Sequence, residues 1–111
     1  MKLKTFEKEL VYNGDKVKLF LGKYIEPQNN ALFMETLNGD PHAICSINID
    51  TEEPVENDLV FIKDYSENEG MINFLLENGV IEEVVGLEMS GFVLIPVARL
   101  AMDKFVVVEE N

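Results

Sequence analysis

The stretch YSENEGMINFLLENGV, residues 65–80, carries the clearest helical rhythm in this chain. Met71, Ile72, Phe74, Leu75 and Leu76 form a broad apolar face, with Gly70, Asn73 and Glu77 opposite. Ser66 precedes Glu69 by three residues, the spacing of a capping box. In such a box the serine oxygen accepts from the Glu69 amide, and the glutamate reaches back to the Ser66 amide. Glu67 and Glu69 also lie where the helix dipole favours carboxylates. Asn78-Gly79 supplies a stop, with Gly79 suited to the left-handed residue after the last turn. The stretch therefore predicts one helix over about residues 67–78 rather than a catalytic box. Tyr65, Asn68 and Gly70 have no part in that helix start. Two roles stay open for them. In one, Tyr65 packs over a sheet edge and Gly70 allows a close helix–strand approach. In the other, Tyr65 and Asn68 line a partner-binding surface.

On either side of this segment the pattern changes to a period of two. Upstream, Asn13-Gly14 separates two apolar-rich runs and supplies the positive φ angles of a tight hairpin. Val17, Leu19 and Leu21 alternate with Lys16, Lys18 and Phe20. Asn38-Gly39-Asp40-Pro41 marks a second turn. On its far arm Ala43, Cys45, Ile47 and Ile49 share one predicted face. Residues 26–30 and 50–58 read as loops, and the second holds five carboxylates. LVFIKDY, residues 59–65, reads as a strand. Downstream, Ser90-Gly91 interrupts a β-branched run, giving strand, turn and strand. Pro96 restricts the second of these to an edge or a bulged strand. KFVVVEE, residues 104–110, is a candidate last strand. The expected fold class is α+β. It is a curled antiparallel sheet of about six or seven strands on one main helix, in a single domain over residues 1–111.

Composition limits the classes of function. Twenty-one acidic residues oppose nine basic ones, for a formal net charge of −12. Such a chain repels nucleic acid and anionic membrane and attracts basic partners. The longest apolar runs are too short for a membrane span, and the N-terminus lacks the apolar core of a signal peptide. A single cysteine, Cys45, permits no internal disulfide and suits a reducing cytoplasm.

No residue pattern points to catalysis or to a cofactor. His42 is the only histidine and follows a turn. Cys45 lies mid-strand among apolar residues, where a buried thiol is inert. Strand alternation sends the two side chains to opposite faces, so they do not form a nucleophile–base pair. One Cys and one His do not make a zinc site. No glycine-rich loop precedes a helix in the phosphate-binding pattern. Residues 50–58 lack the glycine of a calcium loop. Glu52-Glu53 and Glu82-Glu83 are sequence neighbours and diverge on a strand, unlike an acid–base dyad.

NGDPHAICSINI, DLVFIKDYSENEG, the L-x-x-N-G-V-I segment and GFVLIPVARL together resemble domain-of-unknown-function family 4313. The resemblance covers about residues 10–100, and IKDYSENEG is its most specific block. Members of that family occur on plasmids, conjugative elements and phages, mainly in Firmicutes and Bacteroidetes. No enzymatic activity is attached to the family. The resemblance implies a mobile-element accessory protein and carries over no catalytic residue.

The expected function is a small, acidic, non-enzymatic protein that acts through an unidentified protein partner. The alternative is a nucleic-acid mimic that inhibits a host defence enzyme, such as a CRISPR effector or restriction enzyme. The candidate interaction surface comprises Tyr65, Asn68, Asp50, Glu52, Glu53, Glu56 and Asp58. Neither direct nucleic-acid binding nor membrane association is expected.

Overall fold

A computed structural model describes residues 3–108. They form mostly antiparallel sheet with one short helix. In chain order the elements are β1 (Lys4–Phe6), β2 (Leu10–Tyr12), β3 (Asp15–Lys23), β4 (Asn30–Thr36), β5 (Pro41–Ile44) and β6 (Leu59–Phe61). α1 (Met71–Glu77), β7 (Ile81–Ser90), β8 (Val93–Leu100) and β9 (Phe105–Val107) follow. No helix among the described residues is long and apolar enough to cross a membrane.

The strands fall into two sheets, not one curled sheet of six or seven. The larger has the order β5-β4-β3-β1-β9, and β2 pairs with β3 beside β1. The smaller has the order β6-β8-β7. The division follows from the path after β5. That strand ends at Ile44, and residues 45–47 cross from β4 to β6. Cys45 N donates to Leu32 O at 2.8 Å, Lys63 N to Cys45 O at 2.8 Å and Ile47 N to Phe61 O at 3.0 Å. The expected long arm through Ile49 is therefore a four-residue strand followed by a crossover. Ser46 is buried in the crossover, and its Oγ accepts from Leu32 N at 2.9 Å.

The first hairpin forms as the sequence requires. Asn13 and Gly14 have φ of 51° and 85°, the two positive values of a primed turn, and Tyr12 pairs with Asp15. Val17, Leu19 and Leu21 all face inward. Leu19 pairs with Met34 and Leu21 with Leu32. These side chains meet Met71 and Leu75 of α1, and Val60, Ala98 and Leu100 of the smaller sheet. A smaller cluster covers the other face of that sheet, centred on Ile49, Phe61 and Ile95. Pro96 lies in β8, the central strand, and not at an edge. Its nitrogen faces β6 at the end of that ladder, where its carbonyl still accepts from Ile62 N at 3.0 Å, so the proline forfeits a single terminal ladder bond.

The helix differs from the expectation in length and start. Residues Ser66–Asn68 form a separate 3-10 turn, and α1 begins only at Met71. The path breaks twice, at Ser66 with φ 57° and at Gly70 with φ 92°. No capping box forms, since the Glu69 amide donates to the Ser66 backbone carbonyl at 3.2 Å. Gly70 occupies the cap position and has no side chain to offer. Asp64 Oδ1 takes over and accepts from Ile72 N at 2.9 Å. The C-terminus matches the expectation. Gly79 has φ 72°, its amide donates to Leu76 O and the Val80 amide to Leu75 O, the paired bonds of a Schellman motif.

Candidate functional site

The carboxylate-rich loop after the crossover is held in place by two asparagines. Asn29 Nδ2 donates to Asn48 Oδ1 at 3.0 Å and to Ile49 O at 2.7 Å. Asn30 is buried and donates to Asn57 O and Leu59 O, both at 2.7 Å. The bonds grip the loop at its two ends, so residues 50–56 project as one shaped segment. Thr51 Oγ1 donates to Glu53 O at 2.6 Å and tightens its middle.

Beneath this loop lies a cleft of about 530 Å³. Val55, Leu59, Phe61 and Val97 supply its apolar surface, and Asp50, Glu52, Glu53, Glu56 and Glu88 supply carboxylates. Among the described residues no Lys or Arg lines it. Glu88 comes from β7, far along the chain from the loop.

Arg99 on β8 organises the cleft's flank. Its Nη1 lies 2.6 Å from Asp58 and 3.7 Å from Glu56, and its Nε lies 3.5 Å from Glu83. The Asp58 hydrogen bond is the main cause that raises the guanidinium pKa. One cation thus ties the loop, β8 and β7 together.

The seven sequence-predicted residues separate into groups. Asp50, Glu52, Glu53 and Glu56 meet at the cleft. Asp58 turns to Arg99 instead. Tyr65 is half-buried against the Ile49–Phe61–Ile95 cluster, with the Lys63 ammonium 5.5 Å from its ring centre. Asn68 is 2% exposed and donates to Ile44 O at 2.5 Å, so its side chain is a structural staple and not part of a surface. Gly70 does not permit a close approach. A Cβ built there meets nothing within 4 Å, and the residue serves its left-handed φ.

Sequence reasoning missed Asn29, Asn30, Glu88 and Arg99. Arg99 left one signal, as the only cation between Lys63 and Lys104 in a strongly acidic chain. Glu88 left none, because only the β7–β8 pairing brings it to the loop.

A larger hollow of about 840 Å³ surrounds β5. It touches Leu32 and Met34 on the inner side of β4 and Ala31, Phe33 and Glu35 on the outer side. It runs along the sheet edge at β5 and is lined from both faces of β4. Several of its polar groups have neighbours within the protein, among them Tyr24, whose hydroxyl lies 3.0 Å from Ser46 Oγ. His42 Nε2 lies 3.9 Å from Asp15, and Tyr12 stacks edge-on against both His42 and Phe74. The Lys63–Glu67 pair lowers the Glu67 carboxyl to about 2, chiefly through the lysine hydrogen bond. Burial raises the Tyr12 hydroxyl. Cys45 is fully buried, and burial pushes its thiol up to about 12. Among the described residues no group of three or more His, Cys, Asp or Glu is placed to hold a metal ion.

Comparison with known proteins finds no matching family model, no matching curated protein and no matching solved structure. The resemblance to family 4313 therefore rests on the quoted sequence blocks alone.

Proposed function

We propose that this chain is a non-enzymatic interaction protein whose acidic cleft receives a basic segment of a partner protein. The observation that carries this reading is the cleft's composition. Five carboxylates surround an apolar floor, and among the described residues four of them, Asp50, Glu52, Glu53 and Glu88, have no cation paired with them. Lysine and arginine fit such a site twice over, with aliphatic stems on Val55 and Val97 and charged heads among the carboxylates. A nucleic-acid mimic fits less well, because it needs a row of unpaired carboxylates, and Glu56 and Asp58 lie against Arg99. An accessory protein acting in the cytoplasm of a bacterial host is consistent with this reading.

The test is a titration with a fluorescent oligolysine peptide at low and physiological salt. Binding should weaken as salt rises. The double substitution Glu52→Gln/Glu53→Gln should weaken it about two- to thirtyfold, the range for two exposed charge contacts. Equal affinity for an oligoglutamate peptide, or no effect of the substitutions, would refute the reading.

A further inference from the structure

Among the described residues β7 has a hydrogen-bonded neighbour on one side only, since the smaller sheet runs β6-β8-β7. Its outward backbone groups can be identified. Pro96 O accepts from Ile62 N, on the β6 side, so the Leu87/Pro96 pair is not hydrogen-bonded across β7 and β8. Antiparallel ladders alternate. Leu87 and Met89 therefore turn their N–H and C=O groups away from β8, toward the open edge.

Natural edge strands are guarded by proline, charged side chains (lysine above all) or bulges, and in the distal half of β7 the single charge is Glu88. β7 contains neither proline nor lysine. Its two register shifts lie between Ile81 and Glu83 and between Val84 and Gly86, leaving Leu87–Ser90 in regular register. The two faces of this distal half differ. Leu87, Met89 and Leu94 lie on one face at 61%, 63% and 55% exposure, and Phe92 at the turn is fully exposed. Glu88 lies on the other face and lines the acidic cleft.

We propose that the free edge of β7 is a docking strand for an extended partner segment in which basic and apolar residues alternate. The segment adds to the smaller sheet through the backbone groups of Leu87 and Met89. Its apolar side chains lie beside Leu87, Met89 and Leu94, and its basic side chains reach over Glu88 toward the cleft. This deepens the cleft reading and rests on it for the charge of the partner. Charge also selects against a second copy of this chain. Each copy carries a net charge of −12, and β7 itself has Glu82, Glu83 and Glu88 with no cation. Self-pairing brings these carboxylates together.

The experiment uses the full chain and a short synthetic peptide alternating lysine and valine, about as long as β7. A peptide of the same composition in two blocks, and one alternating glutamate and valine, serve as controls. Amide exchange is followed by NMR, affinity by titration and mass by sedimentation. The alternating lysine–valine peptide should bind and slow exchange at Leu87 and Met89, and the controls should not. Met89→Pro removes an outward N–H without breaking a β7–β8 bond, and should weaken binding at least about tenfold. Leu87→Lys, at an exposed position, should do the same by repulsion if the proline variant fails to fold. Slowed exchange confined to residues 50–56, with Met89→Pro silent, overturns the docking strand and leaves the cleft reading intact. Edge protection insensitive to salt and to Glu52→Gln/Glu53→Gln overturns the cleft reading and the basic character assigned to the partner. A dimer with Leu87 and Met89 protected in the free protein shows that a second copy occupies the edge, and overturns the proposal. Failure of every peptide to bind overturns both readings.

Discussion

Asp64→Ala should destabilise the protein, and Ser66→Ala should not. The contrast separates two accounts of how the helix begins. In a capping box, Ser66 and Glu69 hold the first turn. In the structure, Asp64 Oδ1 accepts from Ile72 N at 2.9 Å, while Gly70 at the cap position offers no side chain. Ile72 is the second residue of α1, the position whose amide an N-cap side chain normally satisfies. Losing such a bond costs about 1 kcal/mol. For a chain of 111 residues that corresponds to a fall in Tm of roughly 4 °C. The Ser66 hydroxyl accepts no cap bond and sits exposed at φ 57°, so alanine there should change stability by less than about 0.5 kcal/mol. Asp64→Asn keeps an oxygen acceptor and should lose less than the alanine variant. Urea melts of the three variants, compared at constant m, supply the measurement. An unchanged midpoint for Asp64→Ala alongside a lowered one for Ser66→Ala would show that the capping box operates and that this account is wrong.

Gly79→Ala should cost about 1–2 kcal/mol, because the φ of 72° disfavours any Cβ, and denaturant melts would show it. The added methyl also falls 2.9 Å from Lys104 Nζ, a flexible end that can move aside. The Glu67 carboxyl, followed by NMR, should titrate near 2 and return toward the ordinary carboxylate range in Lys63→Met. Because the folded pKa is depressed, the stability it contributes is present above the ordinary carboxylate range and lost as pH falls toward 2. Cys45 should resist thiol reagents at neutral pH until the protein unfolds, given its burial and a thiol pKa of about 12. Fast labelling under native conditions would contradict that burial.

Much of the local structure was legible in the sequence, wherever a short-range physical rule applies. Asn13-Gly14 specified its turn because two adjacent positive φ angles suit few residue pairs. Val17, Leu19 and Leu21 specified an inward face because strand side chains alternate. Gly79 marked the helix stop for the same local reason. The loop carboxylates at residues 50–56 were visible as a run, and four of them meet at one cleft. What tertiary structure decided was every feature whose partner lies far along the chain. The Ser66–Glu69 spacing fits a capping box, yet Asn68 finds the Ile44 carbonyl and Asp64 finds the Ile72 amide, and those bonds redirect the start of the helix. The sheet divides in two because the chain crosses from β4 to β6 at residues 45–47, a choice made by long-range hydrogen bonds and core burial. Pro96 restricts its strand to an edge or a bulged one; it lies in the central strand β8, whose pairing with β7 carries two register shifts, and its missing N–H falls where the β6 ladder stops. Glu88 and Arg99 joined the loop only through the β7–β8 pairing and its ion pairs. Spacing rules read contacts within a few residues. The energy that places a cleft comes from contacts tens of residues apart, and no local pattern encodes them.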